Sequence, residues 1–428
     1  MKINLCMIVK NEERSLARCL AAASPLVDDV VIADTGSTDG TIAIAEDFAR
    51  ELERERGRAC VFLYHFAWVN DFAAARNFVL EKSEELGADY NLVLDADETL
   101  FTSDTPEGER PAGIPGKVYG TGRRELEAFL AGLEERTGTG HGSAGSSNAR
   151  GNVSGKASRG KGARTGFPER RTPCFLGTLG LYDQFRDGEE ISRNLEFIPR
   201  ILPGGCRYEG AVHEQPSPGT PIFRSPLYAD HDGYLLAGKG DRNLVLLMAE
   251  EAKDADDPYV QFQLGATLRN MKRPDEALPH FRVFFNMGEP DTGYWADGVL
   301  LYLYTLLDLG GDALEEASGV MVRVEPLLQE RADYWFYCGL FWTKLIEENT
   351  AEFAGMLPMI EESYRRCLSI GEKPEEGGVI GTGSLKAAYN LALYYEMSGQ
   401  KDKAAYYYRQ AAAQGYEPAE KRLAGLQS

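Results

Sequence analysis

The 428-residue sequence lacks several features that would assign it to a large class of proteins. Its seven cysteines are scattered and form no C-x-x-C pair, so they indicate neither a zinc site nor a disulfide framework, and we expect reduced thiols. No apolar run reaches the roughly 20 residues that span a bilayer, and the first apolar run is too short for a signal peptide. We therefore expect a cytoplasmic protein without a transmembrane segment.

Positive charge is also scarce. The chain has 46 lysines and arginines against 66 aspartates and glutamates, which gives a formal net charge of −20. Nonspecific nucleic-acid binding requires a basic surface, so this balance argues against nucleic acid as a partner. The negative net charge does not exclude an anionic ligand that is held locally through a metal ion.

What the sequence does contain is an alternation of strands and helices at its start. Apolar runs predict strands at residues 3–9, 27–33, 61–64 and 90–94, with helices between them, among them 41–56. This β-α-β-α-β-α-β order favours a mainly parallel sheet with right-handed crossovers. We therefore predict an α/β, Rossmann-like domain at the N-terminus.

Acidic side chains follow two of the predicted strands. Asp34 follows the second strand, and Asp95 and Asp97 follow the fourth. Ligands of α/β sheets bind at the carboxyl ends of strands, and two aspartates one residue apart can share Mg²⁺ or Mn²⁺. An Asp-x-Asp pair alone is weak evidence, because most such pairs are solvated turn residues. Two acidic strand ends on one edge are stronger evidence for a metal that holds a nucleoside diphosphate.

Four segments stand in an order that is typical of one enzyme family. They are residues 5–13 (LCMIVKNEE), 34–41 (DTGSTDGT), 68–77 (WVNDFAAARN) and 94–98 (LDADE). Together they resemble family-2 glycosyltransferases of the GT-A fold, in the bacterial branch that carries C-terminal tetratricopeptide (TPR) repeats. Each segment alone would be unspecific, but the four in this order are not.

The resemblance implies an inverting, metal-dependent glycosyltransferase of the hexosyltransferase type. It would move a sugar from a nucleoside diphosphate donor, with UDP-sugars favoured, to a protein, peptide or glycan acceptor. Carried over by position, the donor-nucleotide site would comprise Val9, Asn11, Glu12, Asp34, Arg76 and Asp95, and the metal site would comprise Asp97, Asp95 and His231. The cofactor, Mn²⁺ or Mg²⁺, would neutralise the charge that builds on the leaving diphosphate.

Simpler roles for some of these residues stay open. Asp39 would then only cap a helix, and Arg76 would only pair with Asp71 or another nearby acid. His231 would only hydrogen-bond to a neighbouring aspartate at the entry of a helix.

A candidate general base lies in YEGAVHEQ, residues 208–215, which resembles a recurrent segment of the same family branch. Inverting transfer needs one base to deprotonate the acceptor, and a carboxylate or imidazole can serve. Glu214 is the first choice and His213 the second, unless both only hold structural donors. We also predict a hairpin in which a strand at 196–202 turns through a glycine pair into this segment.

Residues 137–166 are almost wholly Gly, Ser, Ala, Asn, Arg and Lys, which predicts a mobile loop without a core of its own. The resemblance implies that this loop is an insertion, because the region is usually shorter in that family. Its basic residues are Arg150, Lys156, Arg159, Lys161 and Arg164. They could attract phosphates or an acidic acceptor, although a solvated loop is the simpler interpretation.

The composition becomes helical from about residue 239. Residues 259–288 and 387–418 share a small residue in a first helix, a Gly or Pro turn, and an Ala and an aromatic residue in a second helix, which is the TPR pattern. Stacked helix pairs of this kind bind peptides or partner proteins, and stacking onto the catalytic domain is equally possible. We therefore predict a GT-A domain at 1–238 and a TPR-like domain at 239–428 that binds the acceptor or a protein partner.

Two classes of function follow from these observations. The first is the glycosyltransferase, and the second is a catalytically degenerate nucleotide-sugar fold that presents the repeats as a scaffold. The intact Asp34, Arg76 and Asp-x-Asp favour the enzyme. A third class, the sugar nucleotidyltransferases, would need a glycine-rich basic loop where residues 10–13 read KNEE.

Overall fold

The structure is a computed structural model that describes residues 1–101, 122–137, 175–187, 190–217, 221–233, 239–373 and 376–426. Its described strands form one nine-stranded sheet and one two-stranded sheet, and a stack of helices follows them. The predicted insertion, apart from Thr137, lies outside the described residues, and so do its basic side chains.

Strands and helices alternate over the first 100 residues. They are β1 (Ile3–Val9), α1 (Leu16–Ala23), β2 (Asp29–Asp34), α2 (Thr41–Arg56), β3 (Val61–His65), α3 (Phe72–Glu85), β4 (Tyr90–Val93) and β5 (Glu98–Leu100). The first four strands pair in parallel in the order β3-β2-β1-β4. Strands β1, β2 and β4 are almost fully buried, as central parallel strands require. The predicted α/β fold is confirmed.

The second half of the sheet is mostly antiparallel. Its elements are α4 (Arg123–Thr137), β6 (Leu176–Asp187), β7 (Glu190–Pro203), β8 (Arg207–Glu209), β9 (Gln215–Ser217) and β10 (Ile222–His231). Strand β7 pairs with β4 and β6, β6 pairs with β10, and β10 pairs with β5. This order places His231, at the end of β10, opposite Glu98, which directly follows the Asp-x-Asp pair.

The predicted hairpin is wrong. The chain does turn after β7, at Gly204 and Gly205, and Gly205 has a φ of 87°, which suits glycine. However, β4 and β6 already pair with β7, so the following segment leaves the large sheet. It forms the two-stranded sheet of β8 and β9 instead, and the loop between these strands holds His213 and Glu214.

The C-terminal part is helical. It consists of α5 (Lys239–Glu251), α6 (Pro258–Asn270), α7 (Pro274–Met287), α8 (Trp295–Leu309), α9 (Ala313–Leu328), α10 (Ala332–Glu348), α11 (Thr350–Phe353), α12 (Leu357–Ile370), α13 (Leu385–Met397), α14 (Lys401–Ala412) and α15 (Glu417–Leu426). Small residues let paired helices approach closely: a Cβ on Gly265 of α6 would lie 2.9 Å from the Phe281 ring of α7. The predicted TPR-like helical repeats are confirmed.

The helical part contacts the sheet region at two separate places. A short strand, β11 (Gly378–Val379), pairs antiparallel with β7, and the Lys386 ammonium nearby donates to the Ser192 hydroxyl at 2.6 Å. At the other place, Val212 of the β8–β9 loop packs in one apolar cluster with Leu264 of α6. The first helices of the repeats therefore lie directly against the loop that holds Glu214.

The six cysteines that the structure describes are buried and unpaired. Burial raises the pKa of Cys6 to about 12, so this thiol stays protonated and unreactive at neutral pH. Among the described helices, none combines the length and the hydrophobicity needed to cross a membrane.

Candidate active site

The carboxyl ends of β1, β2 and β4 form one edge of the sheet, and Asp34 lies on it. Its buried carboxylate accepts the backbone N–H groups of Gly36 and Ser37 at 3.0 and 3.1 Å. Asp34 pairs in register with Val9, the last residue of β1, and β4 lies on the other side of β1. The ends of β2 and β4 are thus separated by about 10 Å, two strand spacings.

The loops after β1 and β2 are tied together. The side-chain oxygen of Asn11 accepts the backbone N–H of Thr38 at 2.8 Å, and the N–H of Glu12 donates to the Thr41 hydroxyl at 2.6 Å. Asn11 has a φ of 58°, a conformation that asparagine tolerates better than most residues. The carboxylate of Asp39 accepts the backbone N–H groups of Thr41 at 3.0 Å and of Glu13 at 3.2 Å, so it also joins the two loops, and the N-cap residue of α2 is Gly40.

Arg76 joins three parts of the chain that are distant in sequence. The N-cap residue Asp71 starts α3, and the guanidinium of Arg76, one turn later, is buried. Its Nε donates to Glu214, and its Nη2 donates to Asp95 at 2.8 Å. Its carbon atom Cζ lies 5.6 Å from the centre of the Tyr208 ring. Arg76 therefore pairs with acids, as one interpretation had it, but with Asp95 and Glu214 rather than Asp71.

A second buried guanidinium, that of Arg200 in β7, completes this cluster, and no sequence motif predicted it. Its Nη2 donates to Asp95 at 2.9 Å and to Glu98. Burial by itself would raise the pKa of Asp95, but Arg76 and Arg200 hold it well below its usual range. Burial also raises the pKa of Glu98 to about 7, although Arg200 opposes this shift. The one feature of the sequence that could have identified Arg200 is that it is a charged residue inside an apolar strand.

Asp97 and His231 meet because β5 pairs with β10. The buried Asp97 carboxylate lies 3.4 Å from Nε2 of His231, and Nδ1 of His231 lies 2.5 Å from the Asp183 carboxylate. Burial disfavours the charged imidazole, yet the two carboxylates raise the pKa of His231 to about 11. Asp183, in β6, carries no sequence motif and was not predicted.

Asp97 and His231 could hold one divalent cation, which would displace the proton that the two carboxylates keep on the imidazole. Their facing atoms are 3.4 Å apart, a distance that a single cation can bridge, and Mg²⁺ takes its other ligands from water and phosphate. A Cβ on Gly233 would overlap both atoms, so only glycine fits at this position. Over the described ranges, no three His, Cys, Asp or Glu side chains form a complete metal cluster. Asp95, the third predicted ligand, contacts two arginines, and its role toward the metal stays a prediction.

The β8–β9 loop presents both candidate bases. The Glu214 carboxylate is 9% exposed and pairs with Arg76. His213 has a φ of 51°, a strained conformation for this residue, and burial lowers the pKa of its imidazole. Tyr259 of α6 donates from its hydroxyl to the His213 carbonyl at 3.3 Å and accepts from the Gln215 amide at 2.8 Å. The repeats thus hold this loop in place. No pattern in the sequence predicted the contact of Tyr259 with the loop.

Comparison with protein families agrees with the geometry of the N-terminal part. Residues 5–118 match the model of glycosyl transferase family 2. The resemblance that rested on four motifs is therefore confirmed for this region, which contains β1 to β5 and the Asp-x-Asp pair. Arg200, Glu214 and His231 lie beyond the matched residues.

Two kinds of known protein are similar to part of the chain. A TPR repeat-containing protein of Synechococcus elongatus is 40% identical over 100 residues, which are 23% of this chain, and the chain spans 21% of the length of that relative. The crystal structure of MamA is 19% identical with a TM-score of 0.34, over 43% of this chain and 92% of that chain. A thermophilic TPR protein of Thermus thermophilus is 19% identical with a TM-score of 0.32, over 44% of this chain and 91% of that chain.

Proposed function

We propose that the protein is an inverting glycosyltransferase of the hexosyltransferase type, which takes a sugar from a nucleoside diphosphate donor, with UDP-sugars favoured. The observation that carries this proposal is that Asp97 and His231 lie 3.4 Å apart, beside the cluster of Asp95, Arg76 and Glu214. The match of residues 5–118 to a glycosyltransferase family supports it.

The nucleoside would lie along the ends of β1 and β2. Val9, Asn11 and Glu12 line the first of these ends, and Asp34 marks the second. An ionised carboxylate has about four acceptor positions, so Asp34 can accept a base N–H in addition to its two backbone donors. The hydrogen bonds that join the two loops would hold these residues in place before the nucleoside binds, which would lower the cost of binding.

Asp97 and His231 would hold Mn²⁺ or Mg²⁺. When bound, such an ion supplies positive charge to the leaving diphosphate. Asp183 contacts the other nitrogen of His231 and therefore fixes the orientation of the imidazole. Asp95 would contact the donor near the ribose while Arg76 and Arg200 keep it ionised.

Glu214 would accept the proton of the acceptor hydroxyl as this oxygen attacks the anomeric carbon. Arg76 contacts Glu214 and so fixes the position of its carboxylate. His213 is the second candidate, because its lowered pKa leaves the imidazole neutral and able to accept a proton. The Glu214→Gln variant should bind donor normally but transfer sugar about 100-fold more slowly or worse, the usual contribution of a general base. A nearly normal rate would leave Glu214 with a structural role.

The repeats would bind a protein, peptide or glycan acceptor, or a protein partner. They press against the loop that holds Glu214, so an acceptor bound on them would lie close to the proposed base. The cellular location that we expect is the cytoplasm.

The second candidate function is a degenerate domain that presents the repeats as a scaffold. One observation favours it: Asp95, half of the Asp-x-Asp pair, is neutralised by two arginines. A scaffold of this kind would bind no nucleotide.

Thermal unfolding of the full chain with UDP-sugars and GDP-sugars, with and without Mn²⁺, separates the two functions. A ligand at 100 times its Kd stabilises the folded state by about 2.7 kcal/mol, which is easily measured. We expect one donor class to raise the melting temperature only with metal, and Asp97→Asn to remove that increase. If no nucleotide changes the melting temperature, the scaffold is the better explanation.

A further inference from the structure

Arg242 reaches the candidate site from the helical part of the chain. It lies near the start of α5, and its guanidinium carbon is 4.9 Å from the centre of the Phe72 ring. Phe72 is the first residue of α3, and Arg76 follows four residues later on the same face of that helix. The repeats therefore place a cation one helical turn from the buried charge cluster.

The surroundings of Arg242 combine exposure to solvent with nearby acidic groups. Its side chain is exposed to solvent, but the protein around it desolvates the guanidinium and lowers its pKa. Glu12 and Asp95, both on the candidate donor site, oppose this shift by electrostatic attraction. Arg242 therefore lies close enough to Glu12 and Asp95 to interact with both of them electrostatically.

Arg242 differs from the two buried arginines in having no strong partner. Arg76 donates to Asp95 and Glu214, and Arg200 donates to Asp95 and Glu98. For Arg242, the hydrogen bond within the described residues is a long one, 3.4 Å to the side chain of Asn243. Its charge is therefore available to a ligand.

We infer that Arg242 binds the diphosphate of the nucleotide-sugar donor, so that the repeat part of the chain contributes directly to the donor site. The inference rests on the proposed function. A guanidinium donates two parallel hydrogen bonds to phosphate oxygens, and Phe72 holds the planar group by stacking, which reduces the entropy lost on binding. Because Arg76 and Arg200 are neutralised by carboxylates, Arg242 supplies the positive charge that the diphosphate requires from the protein.

The test is calorimetric titration of the full chain with UDP, GDP and the free nucleosides, in the presence of Mn²⁺. Arg242→Ala should weaken binding of the preferred nucleoside diphosphate by about 10-fold or more, the usual effect of losing a charged hydrogen bond. Arg242→Lys should recover part of the loss because it keeps the charge. Binding of the free nucleoside should not change, since it lacks the diphosphate.

The matched control is Arg323→Ala. Arg323 is exposed on α9 and lies over the Phe285 ring, with its guanidinium carbon 4.5 Å from the ring centre. It therefore repeats the Arg242–Phe72 arrangement among the repeat helices. Its removal should leave nucleotide binding and the melting temperature close to those of the wild type.

The possible results separate this inference from the proposed function. If the wild type binds a nucleoside diphosphate and Arg242→Ala binds it equally well, the inference is wrong and the proposed function stands. If Arg242→Ala weakens the free nucleoside as much as the diphosphate, Arg242 shapes the pocket and does not contact phosphate, which also overturns the inference. If the wild type binds no nucleotide, the proposed function fails and the inference fails with it.

Discussion

The Gln215 side chain donates a 2.8 Å hydrogen bond to the hydroxyl of Tyr259, which joins the loop that holds Glu214 to the first helix pair of the repeats. The same hydroxyl donates to the carbonyl of His213, a residue whose backbone is strained. Strained residues persist only where their surroundings hold them, and here the repeats provide part of that support. The position of the proposed base thus depends on a residue from another part of the fold.

Tyr259→Phe should lower the rate of sugar transfer several-fold without weakening UDP binding. The variant loses hydrogen bonds worth about 1 kcal/mol each, so the loop gains freedom, whereas the donor site at the strand ends is unchanged. Steady-state kinetics give kcat, and calorimetry gives the Kd of UDP.

Tyr334→Phe is the control for this variant. It loses a comparable hydrogen bond, 3.1 Å to the Met321 carbonyl inside the repeats, and should leave kcat unchanged. Equal losses of kcat in both variants would mean that the effect reflects general loosening of the repeats.

Arg200→Met should destabilise the fold by about 3–5 kcal/mol, because it leaves the buried Glu98 without its cationic partner. The free energy of unfolding, from urea titration at pH 7.5, is the measurement. Arg207→Met removes an ion pair with Glu84 in which both side chains are about 30% exposed, 32% and 27%, and should cost about 1 kcal/mol or less. Equal costs for the two variants would contradict the importance assigned to burial.

Gly233→Ala should abolish metal-dependent nucleotide binding without unfolding the protein. The added Cβ would overlap Asp97 and His231 and so displace the side chains that are proposed to hold the metal. Thermal unfolding with UDP and Mn²⁺ checks this. Gly293→Ala, at a position where an added Cβ meets no other atom within 4 Å, is the control. A normal response to Mn²⁺ in Gly233→Ala would place the metal elsewhere.

The pH dependence of stability should report on Asp333, a buried residue of α10. Burial raises the pKa of Asp333 from 3.8 to about 6, although a hydrogen bond from Thr382 and the charge of Arg331 oppose the shift. A carboxyl with a raised pKa in the folded state stabilises that state below pH 4, and this contribution is lost as the pH rises through 6. The stability of the wild type should therefore fall in this window because of Asp333.

Asp333→Asn removes this titration. Its free energy of unfolding should improve relative to the wild type as the pH rises from 4 to 7, measured by urea titration at several pH values. A difference between the two proteins that stays constant with pH would show that Asp333 does not titrate in this range.

Local patterns in the sequence were sufficient for the strands, the helices and the candidate acids. The apolar runs predicted β1 to β4 because strand burial is a property of consecutive residues. The helix at 41–56 has the predicted bounds, since the α-helical period and the glycine that ends it are also local signals. Recognition of the family came from four short segments, each of which lies at a strand end or a helix start.

The prediction of a hairpin after β7 was wrong because it, too, used only a local signal. A glycine pair after an apolar run indicates that the chain turns, and it does. It does not indicate whether the strand still has an unpaired edge, and both β4 and β6 pair with β7.

The sequence by itself determined which residue types stand at the strand ends, and with them the expectation of a metal and a nucleotide. The tertiary structure decided which distant residues meet. These pairs are Asp95 with Arg200, His231 with Asp183, His213 with Tyr259, and Phe72 with Arg242. The physical reason is distance along the chain. Periodicity and capping depend on residues a few positions apart. Contacts between side chains that are distant in the sequence depend instead on the order of the strands and the packing of the helices.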